Sequence, residues 1–193
     1  TVKMRLGWDD ASLNAPEIAR IAEGEGARMV TVHGRTRMQF YTGTANWARI
    51  APVVEAIKLP VIANGDIDSG ESAREAMKQS GAAGVMIGRG AEGRPWRLAE
   101  ISHAVFGTPY REPTREEKLA SMLDQVAGCV SLYGDRLGVR VVRKHVAAFV
   151  DAWCEDHGLP PMAETRVALC RIETPAALLD ALTAALGNRR DAA

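Results

Sequence analysis

Four times in its first 90 residues the chain runs through a short apolar stretch and stops on glycine, a polar side chain or a charge. The barest instance is Pro60–Ile67, where Val61–Ala63 gives way to Asn64, Gly65 and Asp66. Proline suits the first residue of a strand and not its interior. An apolar run without polar alternation reads as a strand buried on both faces, as in a parallel sheet beneath helices. The carboxyl ends of such strands are where α/β folds hold ligands. The same form recurs in residues 26–35, which end in His33-Gly34-Arg35, and in residues 81–89, which end in Gly88-Arg89. The opening segment Thr1–Gly7 carries Lys3. Each gap between these runs accommodates one helix. The pattern therefore predicts right-handed βαβ units that deliver Lys3, His33, Asn64 with Asp66, and Gly88 with Arg89 to one rim.

Local signals place the helices. Asn14 followed by Glu17 marks a helix start, and Gly24 and Gly26 halt that helix after about Glu23. The second strand spans Met29–Val32. Asn46-Trp47 opens a helix carrying Ile50, Val53, Val54 and Ile57 at helical spacing, and another runs from about Ser69 to Gln79. The fourth strand ends at Gly88, and Trp96–Val105 reads as a short amphipathic helix. Gly107, Pro109 and Pro113 then mark a linker. Beyond it no strand pattern recurs, and four helical patterns follow. Thr114 with Glu117 forms a capping box for a helix to about Tyr133. Asp135–Asp156 is the second, Pro160-Pro161 starts a third to about Ile172, and Thr174-Pro175 starts a fourth to Leu186 with Gly187 past its end. Short connections predict an antiparallel four-helix bundle. The expected organisation is an α/β segment over residues 1–106, a linker over 107–113 and an all-α segment over 114–193.

Bulk properties narrow the partners. The net charge is zero, so no overall field draws nucleic acid and any basic surface is local. Cys129, Cys154 and Cys170 show no CxxC spacing, which argues against a disulfide framework or zinc site and for a reduced, cytoplasmic setting. No apolar run approaches the roughly 20 residues of a membrane span. The chain starts on a strand-like segment without a lead-in, which reads as truncation.

Each candidate site residue has two readings. Gly65 and Gly88 are turn glycines or permit a phosphate to approach the backbone, where Arg89 would add a charge-assisted contact. Lys3 is either partnered inside the sheet or an edge-strand lysine facing water. His33 is a site residue or a satisfied structural histidine. Arg35 and Arg37 belong to the site or are solvated loop charges. Arg136, Arg140, Arg143 and Lys144 share an arc of roughly 100° on one helix. No acidic residue falls between Arg136 and Val150, while Val142, Val146, Phe149 and Trp153 lie opposite. This stripe is a nucleic-acid surface or only a solvated face. The three cysteines read as core thiols, and none is assigned to catalysis.

Taken together the motifs resemble a known family. Val2-Lys3-Met4-Arg5-Leu6-Gly7-Trp8, Thr31-Val32-His33-Gly34-Arg35-Thr36, Val61–Ile67, and Met86–Ala91 followed by Gly93-Arg94-Pro95-Trp96 resemble the tRNA-dihydrouridine synthases of the bacterial B-type branch. Arg140 with Arg143-Lys144-His145 is similar to that branch's helical domain. The resemblance implies the C-terminal half of a (β/α)₈ TIM barrel, about four parallel strands, followed by a helical tRNA-binding domain. It implies FMN as cofactor, NADPH as reductant, and reduction of the C5–C6 bond of tRNA uridines. On this chain it implies FMN contacts from Lys3, His33, Asn64, Gly65, Asp66, Gly88 and Arg89, and RNA contacts from Arg136, Arg140, Arg143 and Lys144. His33 would support catalysis, and the acid cysteine is expected in the N-terminal half that this chain lacks. The fragment alone is thus expected to be inactive, pairing with that half or self-associating through its open edges. The alternatives are another FMN TIM-barrel oxidoreductase, such as a dihydroorotate dehydrogenase, or a non-catalytic RNA-binding fragment.

Overall fold

The computed structural model describes residues 1–187; residues 188–193, which fall in the expected all-α segment, lie outside the described residues. The chain divides into two compact units. One comprises Thr1–Ala91 with Arg97–Tyr110, the other Glu92–Trp96 with Arg111–Ala193.

The first unit is a four-stranded parallel sheet in the order β1 (Val2–Arg5), β2 (Val30–His33), β3 (Val61–Asn64), β4 (Gly84–Met86). Helices α1 (Ala15–Gly24), α2 (Ala51–Ala56) and α3 (Gly70–Ser80) connect successive strands, and α4 (Arg97–Phe106) follows β4. Alternate strand residues Val30, Val32, Val61 and Ala63 cluster with Ala19, Val53, Ala73 and Ile101 from the helices. Side chains alternate across a strand. The other sheet face therefore carries Lys3, Arg5, Thr31, His33, Ile62, Asn64 and Met86. The strand order has no reversal, and the helix-bearing core lies on one face. This is a partial TIM-barrel-like α/β fold, not a doubly wound sheet.

Burial on both faces, expected for the strands, holds for β2 alone among them; Lys3 and Met86 on the second face are exposed. Several boundaries also shift. Asn14 makes no side-chain cap, because its φ of −113° and ψ of 9° leave the extended region a cap requires. Gly24 lies within α1 rather than halting it. Ile57 leaves α2 in an extended conformation and is buried there. β4 ends at Met86, so Gly88 stands in the loop beyond it and Arg89 opens a short 3-10 turn, Arg89–Ala91.

In the second unit, α5 (Arg115–Tyr133) begins with the Thr114–Glu117 capping box and α6 (Asp135–Asp156) follows after Gly134. α7 (Ala163–Arg171) starts after Met162, later than Pro160-Pro161 suggests. α8 (Pro175–Leu182) passes into a π-helical turn, Thr183–Gly187, so Gly187 ends that turn instead of following the helix. Val142, Val146, Phe149 and Trp153 of α6 form the core with Leu119, Met122 and Val126 of α5 and Leu178 and Leu182 of α8. Gly138 lets α6 approach α5 closely, since a Cβ there would stand 2.7 Å from the Cys129 carbonyl oxygen. Cys154 is buried, while Cys129 and Cys170 are only partly so. Among the described residues, no helix is long and apolar enough to cross a membrane.

Candidate functional site

Parallel pairing sets Arg5, His33, Asn64 and Met86 at one level, at the carboxyl ends of the four strands. A cleft of about 480 Å³ opens there. Lys3, His33, Asn64, Gly65, Asp66, Gly88 and Arg89 all line it, joined by Tyr41 and Asp68. Lys3 pairs with Thr31, one step below the level of His33, and its side chain is exposed. It therefore needs no buried partner.

The turn after β3 organises the cleft. Gly65 has φ of +111°, and a Cβ built on it would stand 2.6 Å from Cδ2 of His33 and 2.8 Å from Cβ of Ala45. Only glycine fits a position that combines this backbone with this crowding. The Gly65 carbonyl accepts from Nε1 of Trp47 at 2.8 Å. Asn64 donates Nδ2–H to the Met86 carbonyl at 2.9 Å, which ties β3 to β4 and leaves Oδ1 as an acceptor. Asp66 follows with φ of +54°, a conformation aspartate tolerates better than most residues.

Asp66 faces inward to Arg35. Nη1 and Nη2 of Arg35 donate to its two carboxylate oxygens at 2.8 and 2.6 Å, and the Ala45 N–H donates at 2.7 Å. Burial alone would raise the Asp66 pKa, but the Arg35 and Ala45 hydrogen bonds, with the charges of Arg35 and Arg89, hold it below the usual carboxylate range. Its oxygens are thus committed to the protein, and any effect of Asp66 on a phosphate passes through the loop it holds. Arg35 is 2% exposed, so of the two readings for this residue the solvated loop charge fails. Arg37, by contrast, is exposed and stacks on Phe40 at 4.4 Å.

Arg89 is 60% exposed, with Nη2 at 3.8 Å from Asp66 and the guanidinium 4.5 Å from the Tyr41 ring. Because Arg35 satisfies Asp66, the Arg89 charge stays largely available. Four cations, Lys3, Arg5, Arg35 and Arg89, stand in and around the cleft against Asp66 and Asp68. Nothing lies within 4 Å of a Cβ built on Gly88, so backbone is open to a ligand at that point. Positive balance, an open glycine and an available arginine fit a phosphate ester.

His33 is buried, and burial first, then Arg5, Lys3 and Arg35, lowers its pKa from 6.5 to about 4, opposed by Asp66. The imidazole is neutral at pH 7. Between pH 6.5 and 4 the unfolded chain binds the proton that the folded chain refuses. Stability therefore falls as pH drops through that window. The loss is on the order of 2 kcal/mol. Urea unfolding at pH 7 and pH 4.5 is expected to show it, and His33→Gln is expected to flatten that part of the profile; an unchanged difference between the two pH values in the variant would contradict the assignment.

The basic stripe divides. Arg136, Arg140 and Arg143 line a second cleft of about 690 Å³ with Glu173 and Thr174. Arg136 and Arg140 are exposed, whereas Arg143 is partly buried and donates to the Ile172 carbonyl at 3.3 Å. Lys144 does not line that cleft and pairs with Glu92 at 3.4 Å. Glu173, from the connection between α7 and α8, places an acid beside a stripe that is acid-free along α6 itself.

Arg35 stood between two readings in the sequence, and Tyr41 was not singled out there. The only local sign for Arg35 was its place two residues after His33, and Tyr41 sits in a loop without periodic pattern.

Residues 1–188 match the sequence profile of the family described as Dihydrouridine synthase (Dus). A probable tRNA-dihydrouridine synthase of Rhodobacter capsulatus is 47% identical over 193 residues, which is 100% of this chain and 57% of the relative. One of Rickettsia bellii is 47% identical over 181 residues, 93% of this chain and 54% of the relative. The tRNA-dihydrouridine synthase B of Xanthomonas campestris pv. campestris is 43% identical over 180 residues, 93% of this chain and 52% of the relative. The chain spans about half the length of the curated relatives it matches.

Proposed function

Because this chain belongs to the dihydrouridine synthase family, we propose that it supplies the flavin-phosphate site and an RNA-binding surface of an enzyme that reduces tRNA uridines to dihydrouridine. The observation that carries this reading is the cleft at the carboxyl ends of β1–β4, where all seven residues expected to hold FMN converge. FMN, when bound, supplies hydride chemistry between NADPH and C6 of a uridine. Gly65 and Gly88 offer backbone to the phosphate, and Arg89 offers the charge. Asn64 bridges β3 and β4 and presents an amide oxygen. Lys3 contributes a cation to the electron-rich edge of the flavin. Neutral His33 supports the site as a hydrogen-bonding group. The proton for C5 is not assigned to this chain: Cys129, Cys154 and Cys170 lie in α5, α6 and α7, and none of them follows a strand in the sequence.

The α/β unit reads as half of a (β/α)₈ barrel within residues 1–106, and residues 114–193, after a linker over 107–113, as a helical tRNA-binding domain of four-helix-bundle type. β1 and β4 each pair on one side only among the described residues. Closing the barrel calls for further strands, from a longer polypeptide or a second copy. A cytoplasmic enzyme with access to tRNA and NADPH fits this reading.

The test uses the full-length protein carrying this chain, with NADPH, FMN and unmodified tRNA. Dihydrouridine is expected to form, and tRNA affinity to fall on replacing Arg136 and Arg140 by Gln. Losing two phosphate contacts should reduce the slope of log affinity against log salt by about 1.5–2. No dihydrouridine with any unmodified tRNA would sink the proposal, and an unchanged salt slope would reduce the stripe to a solvated face.

A further inference from the structure

Arg35 meets five acceptors with its five N–H groups. Nε donates to the Thr42 carbonyl at 3.2 Å, and Nη2 to the Gly43 carbonyl at 2.6 Å and to Asp66. Nη1 donates to Asp66 at 2.8 Å and stands 3.3 Å from Nε2 of His33. A guanidinium has no acceptor and keeps its proton at any pH a protein tolerates. The Arg35–His33 contact therefore has one direction: Arg35 donates, and His33 Nε2 accepts through its lone pair. A proton on Nε2 would set N–H against N–H.

We propose that Arg35 is a positioning residue that confines the proton of neutral His33 to Nδ1, so that the cleft holds an imidazole with one fixed donor and no free acceptor. Among the described residues no hydrogen-bond partner stands at Nδ1, although His33 lines the cleft. That N–H is left for a ligand acceptor, such as a carbonyl oxygen of a flavin or a pyrimidine. Free imidazole exchanges between two tautomers. Here a ligand meets one of them, with no population to select. The charges facing His33 act the same way: Arg5, Lys3 and Arg35 oppose a second proton, and only Asp66 favours it. Asp66 is itself occupied by Arg35, so one buried guanidinium sets the loop over residues 42–45, the turn after β3 and the histidine tautomer together.

The ligand's nature rests on the flavin and uridine reading, but the tautomer does not. Long-range ¹H–¹⁵N correlation spectra of the ligand-free, histidine-labelled, full-length protein read it directly. At pH 7 the expected pattern is a protonated Nδ1 and an unprotonated Nε2 for His33, unchanged down to pH 5. In Arg35→Gln, whose side chain can also accept, the two tautomers are expected to mix and the titration midpoint to move up from about 4 toward the ordinary value near 6.5. Arg35→Lys, which keeps the charge but not the fork, is expected to restore the charge effect on the midpoint without restoring a single tautomer. A proton on Nε2 in the wild-type protein overturns the proposal whatever the variants do. So does a single Nδ1–H tautomer that survives in folded Arg35→Gln. Failure of FMN to bind would strike the functional reading and leave this result standing.

Discussion

Replacing Asp66 by Ala is expected to destabilise the α/β unit by about 2–3 kcal/mol, less than the roughly 3–5 kcal/mol of a fully buried pair, because Arg35 is buried but Asp66 is 31% exposed. Arg35 is 2% exposed and would keep its charge with no carboxylate near it. Two hydrogen bonds from the guanidinium would be lost, along with the acceptor for the Ala45 N–H. Asp66→Asn retains one oxygen for the fork and should cost less. Combining Asp66→Ala with Arg35→Met should recover part of the loss, because the uncompensated charge goes with the arginine. Since the chain has two units, the reading is best made locally. Exchange of the Gly34 and Asn46 amides, bonded to Asn64 O and Gly34 O, reports opening of this region. A change under 1 kcal/mol would mean that water reaches Arg35 and that the cluster is not a buried anchor.

The same pair marks the limit of what the sequence discloses. The apolar runs, their glycine and polar stops, and the helices between them were legible because strand and helix periods are local properties. The strand-end residues were legible because parallel strands deliver their ends to one rim. Arg35 and Arg37 look alike in sequence, two arginines flanking Thr36. What separates them is Asp66, 31 residues on. The pairing of His33 with Asn64 brings that carboxylate beneath Arg35, while Arg37 lies on the aromatic surface of Phe40. No local pattern encodes that difference. The stripe on α6 is a similar case. Its arc followed from 3.6-residue periodicity, but Glu92 and Glu173, which draw Lys144 away and enter the arginine cleft, come from distant segments. The Asn14 cap, unlike the Thr114–Glu117 box, failed for a related reason. Asn14 has the right side chain, but the Ala15 N–H bonds to the Leu6 carbonyl and the local backbone follows that contact instead.

Arg89→Ala is expected to weaken FMN binding by about 1.5–3 kcal/mol, the range for a hydrogen bond to a charged group. That is roughly ten- to 150-fold in dissociation constant. The two arginines divide the labour. Arg35 takes the Asp66 carboxylate at 2.6 and 2.8 Å, and Arg89, 3.8 Å from it and 60% exposed, keeps its charge for a ligand. Gly88, open on its Cβ side, lets that ligand approach the backbone beside it. Removing Arg89 leaves no buried charge behind, so stability should change little while affinity falls. Riboflavin, which has no phosphate, should be indifferent to the substitution. Comparing the two flavins thus separates phosphate recognition from ring binding. The decisive measurement is a fluorescence titration of FMN and riboflavin against the full-length protein carrying this chain and its Arg89→Ala variant. The expected result is at least tenfold preference for FMN in the wild-type protein, about 1.4 kcal/mol, largely erased in the variant. Equal affinity for the two flavins, or a preference that Arg89→Ala leaves intact, would contradict the assignment of this cleft to a flavin phosphate.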